Sequence, residues 1–315
     1  MMETLPHAMR GRRFLEGVAF LFLVLAAAFL FVRMLPGDPV DIRLQSSMVA
    51  GDEATAAVMR STLGLDQPLW LQFVDWIGGL SRLDGGRSLA SDRPVLAELA
   101  ARLPWSFAIG NGGLLLGVTF GTLLGYASCF HRHGIASAFS RMLVIASQSI
   151  PSFAVAFLVF WLVAVELQWI RPVFGSPIER IAGPILVVAL FATGPFARVT
   201  FGTLVAVQSS SWFMTALAKG LSRKRAMIAH GGRSVVVANA AVLVPELGWA
   251  VGGTAVSEIV FGVSGLSAYI VEAAASRDYA VLQLYLVAIF VWLGTAHGCI
   301  TALRSRIDPR PEVRR

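Results

Sequence analysis

Ser209-Ser-Ser-Trp-Phe-Met-Thr-Ala-Leu-Ala-Lys-Gly-Leu-Ser-Arg-Lys-Arg-Ala-Met-Ile-Ala-His-Gly-Gly-Arg233 stands between two long apolar runs. A polar stretch so placed must connect two membrane spans. The serines at 209 to 211 suit a helix N-cap, because a hydroxyl oxygen accepts from an orphan backbone N–H. Trp212, Phe213, Ala216, Leu217 and Ala218 then give a short helix a greasy side. Gly220 suits a left-handed C-cap. Ser222 is placed to cap a second short helix, which Gly231-Gly232 is expected to end. Small residues at 216, 218 and 220 leave room for another surface to approach the backbone. Lys219, Arg223, Lys224, Arg225 and Arg233 put the loop in the cytoplasm by the positive-inside rule.

Working outward, the composition agrees with a polytopic membrane protein. Of 315 residues, 56% are hydrophobic and only 14% charged, and the mean hydropathy is +0.69. A net charge of +7 would suggest nucleic acid in a soluble protein. Here the basic residues cluster at span ends and in loops, which points to orientation and anionic headgroups rather than nucleic acid. Cys129 and Cys299 sit at expected cytoplasmic span ends and read as free thiols.

Six spans are expected, at residues 14–32, 105–130, 139–167, 181–204, 234–261 and 281–303. The first is long enough to cross a bilayer and lacks a convincing cleavage site, so it reads as a retained span. Residues 34–103 form an acid-, proline- and glycine-rich loop segment outside the membrane. Residues 53–62 and 68–80 suit short amphipathic helices there. Gly117, Gly121 and Gly125 make a small-residue ridge that lets a neighbouring helix pack closely. His131-Arg-His133 is a weak metal pair and reads as a turn. Pro151 is expected to kink the third span. Residues 104–305 make the core, with the loop at 205–233 inside it, and 306–315 form a cytoplasmic tail. Both termini then lie inside.

Several ordered motifs carry a resemblance. They are Leu35-Pro-Gly-Asp-Pro39, Leu63-Gly-Leu-Asp-Gln-Pro-Leu69, Asp84-Gly-Gly-Arg-Ser88, Arg102-Leu-Pro104, Thr215-Ala-Leu-Ala-Lys-Gly-Leu221 followed by His230 and Arg233, and Ile307-Asp-Pro-Arg310. Over residues 33 to 310 the chain resembles the dipeptide/oligopeptide/nickel permeases of ABC importers. The resemblance implies an all-α fold of six transmembrane helices, the type I importer permease fold, in a bacterial inner membrane. It implies that Trp212, Thr215, Ala216, Ala218, Lys219, Gly220, Leu221, Arg223, His230 and Arg233 belong to a coupling element that docks on an ATPase. It further implies a second homologous permease (a heterodimer), two cytoplasmic ATPase subunits carrying ATP and Mg, and a periplasmic binding protein. The cargo stays open among dipeptide, oligopeptide, nickel and a metal–opine complex. The glutamate that names this loop in the family is absent here, Ala238 stands where the family has proline, and so does Ser264.

Charges inside a bilayer cost several kcal/mol unless paired or functional. Arg198 and Glu258 match charged positions that recur in the family, and Arg198 is expected to anchor inner helix ends. Glu246 stands where the family more often has glutamine. It is a candidate, with Arg198 and Glu258, for the translocation path, where it would favour cationic or metal-bearing cargo. The other readings of Glu246 are a protonated acid or a partner for Arg198. His297 is expected to hydrogen-bond between helices. No Gly-x-x-x-x-Gly-Lys-Ser/Thr, Gly-x-Ser-x-Gly or His-Glu-x-x-His sequence occurs, so the chain is expected to bind no nucleotide, cofactor or metal and to catalyse nothing. An ion-coupled secondary transporter is the alternative.

Overall fold

A computed structural model describes residues 7–46, 53–131 and 134–307. Among them the regular elements are helices: α1 His7–Arg33, α2 Pro39–Ser46, α3 Glu53–Thr62, α4 Leu69–Ser81, α5 Val95–Phe130, α6 Ile135–Ser149, α7 Ser152–Phe160, α8 Pro177–Gln208, α9 Ser211–Ala218, α10 Arg223–Gly252, α11 Ala255–Val260, α12 Leu266–Ala275 and α13 Tyr279–Ile307. A π-helical turn, Trp161–Glu166, extends α7. The fold is all-α. The second half of the His131-Arg-His133 turn and the Asp-Pro-Arg part of the tail motif lie outside the described residues.

Four helical stretches are long and apolar enough to cross a membrane: Val95–Phe130, Pro177–Gln208, Arg223–Val260 and Tyr279–Leu303. A fifth arises if Ser137–Ser147 and Ser152–Glu166 count as one span, and these two are bent by 113°. That is far more than the kink expected at Pro151. Proline lacks an N–H and disfavours helical backbone at the residue before it. Accordingly, Ile150 is extended, with ψ 127°. Within α1, Ala19–Arg33 is a shorter apolar helix among the described residues. By length and composition the described residues give four spans, or five if the bent pair is one span.

The chain divides into two compact units. The first comprises the described residues up to Ala101 with Ile270–Phe290, and the second comprises Arg102–Tyr269 with those from Val291 onward. Residues 270–290 thus cluster with the N-terminal part of the chain rather than with their sequence neighbours. In the first unit, turns are held by polar side chains. Gly37 adopts φ +101°, the left-handed region glycine tolerates. Asp38 accepts from the Val40 N–H and pairs with Arg60 at 2.7 Å, and Asp41 pairs with Arg60 at 2.6 Å. Those bonds raise the Arg60 pKa above its ordinary value, chiefly through the hydrogen bond to Asp38. Ser88 Oγ donates to buried Asp278 at 2.6 Å, and the Ala90 N–H reaches the same oxygen. A ring cluster of Phe22, Phe29, Phe73 and Trp76 joins α1 to α4.

The second unit is packed on glycine. A Cβ on Gly113, Gly117, Gly121 or Gly125 would stand only 2.4, 2.4, 2.7 and 2.6 Å from Cβ of Val188, Ala192, Phe196 and Thr200. One face of α5 therefore lies almost backbone-to-backbone on α8, as close packing in lipid favours. α8 begins with a full capping box, Ser176 and Glu179 each satisfying the other's backbone N–H. Buried Asn239 of α10 donates to Thr122 at 2.9 Å and to Thr200 at 3.1 Å, tying three helices together.

Candidate functional site

The α8–α9–α10 connection is built as a platform. α8 ends where Ser209 and Ser210 donate their hydroxyls to the carbonyls of Ala206 and Val207. This corrects the expected role of the serines. They close the preceding helix, and Ser210 sits at the N-cap of α9 with no side-chain bond to it. At the other end of α9, the Leu221 N–H bonds Ala216 O and the Gly220 N–H bonds Leu217 O. Gly220 has φ +86°. This pair of bonds is a Schellman cap, which satisfies the last carbonyls and stops the helix sharply.

Ser222 Oγ then accepts from the Arg225 N–H and starts α10. The expected second short helix is a second correction, because Gly231-Gly232 do not end it. α10 continues through both glycines to Gly252. A glycine in a helix interior costs only about 1 kcal/mol. Gly231 recovers some of that by packing: its Cβ position lies 3.3 Å from Leu204. The connection is thus rigidly continuous with the span that follows.

α9 is two-faced. Phe213 is buried, with Ala216, Leu217 and Leu221 against Leu204, Val207, Ala226, Met227 and Val235. The opposite face exposes Trp212, Met214, Thr215, Ala218 and Lys219. His230 is exposed, its ring 6.2 Å from that of Trp212. Gly220 is exposed, with nothing within 4 Å of a Cβ placed on it. Arg223 donates to Gln208 Oε1, and Gln208 Nε2 reaches Cys129 Sγ at 3.0 Å. Lys224 lies over the Phe130 ring. Arg233 is exposed one turn further along α10. The sequence-selected residues therefore lie on one connection, but they divide between a buried anchoring face and an open face.

The three membrane charges are in very different settings. Glu258 is fully buried. Ser106 and Thr254 hydroxyls donate to its Oε1 at 2.7 and 2.8 Å, and the Ala268 N–H donates to Oε2 at 2.8 Å. Ser106 also accepts from the Leu266 N–H, and a Cβ on Gly265 would collide with the carboxylate at 2.4 Å. This carboxylate is a clamp that fastens the start of α12 to α5 and α11. Sequence reasoning missed the cradle, because Ser106 and Glu258 are 152 positions apart. Glu246 is half-buried and makes no hydrogen bond or ion pair among the described residues. Arg198 is exposed and makes no bond to Glu246 or to another described residue, so the expected anchoring contact is not formed among the described residues. His297 is likewise exposed, with no hydrogen bond to another described helix. Among the described residues no group of His, Cys, Asp or Glu is arranged to hold a metal.

Long apolar helices with a two-faced loop helix between two of them define a multi-pass membrane protein. The "Binding-protein-dependent transport system inner membrane component" family pattern matches residues 117–312, and its N-terminal companion pattern matches residues 9–110. The chain is 31% identical over 301 residues to the "Glutathione transport system permease protein GsiC" of Escherichia coli strain K12, covering 95% of this chain and 96% of that one. It is 32% identical over 301 residues to the protein of the same title from Salmonella typhimurium, with the same coverage. The chain belongs to the binding-protein-dependent transport system inner membrane component family. It is a non-catalytic permease subunit of an ABC importer, a multi-pass protein of the inner membrane.

Proposed function

We propose that this permease forms half of a pore for peptide-class cargo, pairing with a second, related permease. α1 and the bent α6–α7 pair complete six spans, with both termini in the cytoplasm. The open face of α9 seats in a cleft of one of two ATPase subunits, which hold ATP and Mg. A periplasmic binding protein delivers the cargo to the other side. Peptide cargo is supported by the glutathione transport named for the relatives, since glutathione is itself a small peptide. Nickel and metal–opine cargo have no comparable support.

The observation that carries this reading is the division of α9 into a buried anchor and an exposed face, continuous through Ser222 with α10. A force applied to Trp212, Thr215 and Lys219 is transmitted to a 30-residue helix rather than absorbed by a loose loop. ATP-driven closure of the ATPases would then shift the pore between two states. That shift requires the ATPases and the loaded binding protein to bind the two states differently, not merely tightly. Glu246 faces the path in this proposal, because it is a half-buried carboxylate with no partner among the described residues. Glu246→Gln should then lower uptake of cationic cargo relative to neutral cargo, and equal uptake of both would remove it from the path.

The test of the main reading is ATP hydrolysis by the co-expressed complex in lipid, with and without binding protein. Ala218→Trp with Lys219→Glu is the variant of choice, because both side chains point away from the core. Gly220 is left intact, since a side chain at φ +86° would strain the cap. Stimulated hydrolysis should collapse while the membrane subunit stays folded. Normal stimulation would reduce the connection to a basic linker.

A further inference from the structure

Where α5 ends beside the start of α10 there is a cavity of about 520 Å³ that the importer reading does not use. Its size falls within the range of small-molecule sites. The floor is apolar: Cys129 and Met227 are buried and Phe130 is half-buried. The rim is His131 from the end of α5 with Arg223 and Lys224 from the first turn of α10, all three exposed. No Asp or Glu among the described residues lines it. Lys224 lies 5.7 Å from the centre of the Phe130 ring and makes no hydrogen bond or ion pair among the described residues. The His131 imidazole makes none there either. Arg223 donates once, to Gln208 Oε1, which leaves most of its five N–H groups open.

These side chains set the sign of the recess. α5 presents its negative pole there and α10 its positive pole, each worth about half a charge, so the two nearly cancel. Arg223 and Lys224 add a full positive charge each, and the imidazole adds a further donor. Donors converging from two helices suit a phosphate, whose several oxygens each accept charge-assisted hydrogen bonds. The depth of the recess narrows the source. The expected span 105–130 covers about 38 Å at helical rise, close to the ~40–45 Å of a bilayer with its headgroups. His131 and Lys224 therefore stand at headgroup level. A charged rim at that level over an apolar floor matches the phosphate and glycerol of a phospholipid.

We propose that this cavity binds a phosphate group on Arg223, Lys224 and His131, carried by an anionic phospholipid or by a free phosphate ester. With a lipid, Phe130 and Met227 receive the glycerol and the first methylenes of the acyl chains. The inference rests on the cytoplasmic placement of the α8–α10 connection proposed above only for naming the leaflet. It needs neither a cargo nor a docked ATPase.

The test uses the co-expressed complex, delipidated in neutral detergent, with bound molecules counted by native mass spectrometry. The probes are dioleoylphosphatidylglycerol, dioleoylphosphatidylcholine (whose ammonium offsets its phosphate) and inorganic phosphate. Saturable binding of phosphatidylglycerol is expected, about tenfold tighter than that of phosphatidylcholine. It should weaken on the order of tenfold in Lys224→Gln with His131→Gln, as loss of charge-assisted hydrogen bonds produces. Lys224→Arg should retain it. Arg225→Gln removes a neighbouring exposed charge of α10 that does not line the cavity, and should leave binding unchanged. Displacement by millimolar inorganic phosphate would identify a free ester as the source, and resistance to it would identify the lipid; either agrees with a phosphate site. Absence of saturable binding of both probes, or an equal loss in Arg225→Gln, would mean a diffuse positive surface and overturn the proposal. Unaltered phosphatidylglycerol binding in the double variant, with ATPase subunits lost, would make the recess a protein-docking surface and overturn it too. The same spectra score ATPase assembly, so failure of this site and failure of the importer reading are told apart.

Discussion

The α2–α4 turns with residues 270–290, and the α8–α10 connection, are both polar stretches attached to apolar helices, yet they use charge in opposite ways. In the first, charges turn inward on the chain itself: Asp38 and Asp41 hold Arg60, and Asp278 holds Ser88 and the backbone of Ala90. In the second, apolar residues do the holding, and Lys219 is carried on an exposed face beside Trp212, Met214 and Thr215. The difference teaches how to separate architecture from interface. Polar groups whose hydrogen bonds close within the chain fix its shape. Polar groups held out on a rigid apolar anchor are available to another protein.

Asp278→Ala should give the largest loss of stability in this comparison. It strands buried Ser88 and removes the acceptor near the start of α13, costing about 2–3 kcal/mol, measurable as a lower unfolding midpoint in detergent. An unchanged midpoint would mean that the inward bonds do not set the shape. Ala218→Trp with Lys219→Glu should do the reverse. The midpoint is expected to hold, as is usual for exposed changes, while ATPase co-purification falls at least about tenfold, as loss of an interface anchor produces. A third change sharpens the first half. Arg60→Ala should lower the midpoint less than Asp278→Ala, and its own effect should shrink further in high salt, because that ion pair is partly exposed. The smallest effect is expected for Met214→Ala, with no stability change and a modest weakening of ATPase binding.

The connection was readable in sequence because its signals are local. A left-handed glycine after an apolar turn announces a Schellman cap, and the spacing of Phe213, Ala216 and Leu217 marks one helix face. Its errors have physical causes. A serine between two helices can donate backwards or accept forwards, and the sequence Ser-Ser-Ser does not say which. Gly231-Gly232 resembles a stop, but the close approach of α8 makes small residues useful there within a continuous helix. Long-range bonds were invisible altogether. Ser88 finds Asp278 across 190 positions, and Ser106 finds Glu258 across 152. These bonds place residues 270–290 in the first unit and make Glu258 a clamp rather than an open charge. The sharp bend at Pro151 exceeds the expected kink because Ile150 leaves the helical region entirely.

The most direct test of the central claim is the reactivity of a cysteine at position 218, introduced as Ala218→Cys with Cys299→Ser. Cys129 is retained, since it is buried. A membrane-impermeant maleimide would be applied to inside-out and right-side-out vesicles, with and without the ATPase subunits. Labelling is expected only in inside-out vesicles, and should be suppressed when the ATPases are assembled. Labelling from the opposite face, or undiminished labelling in the assembled complex, would contradict the central claim.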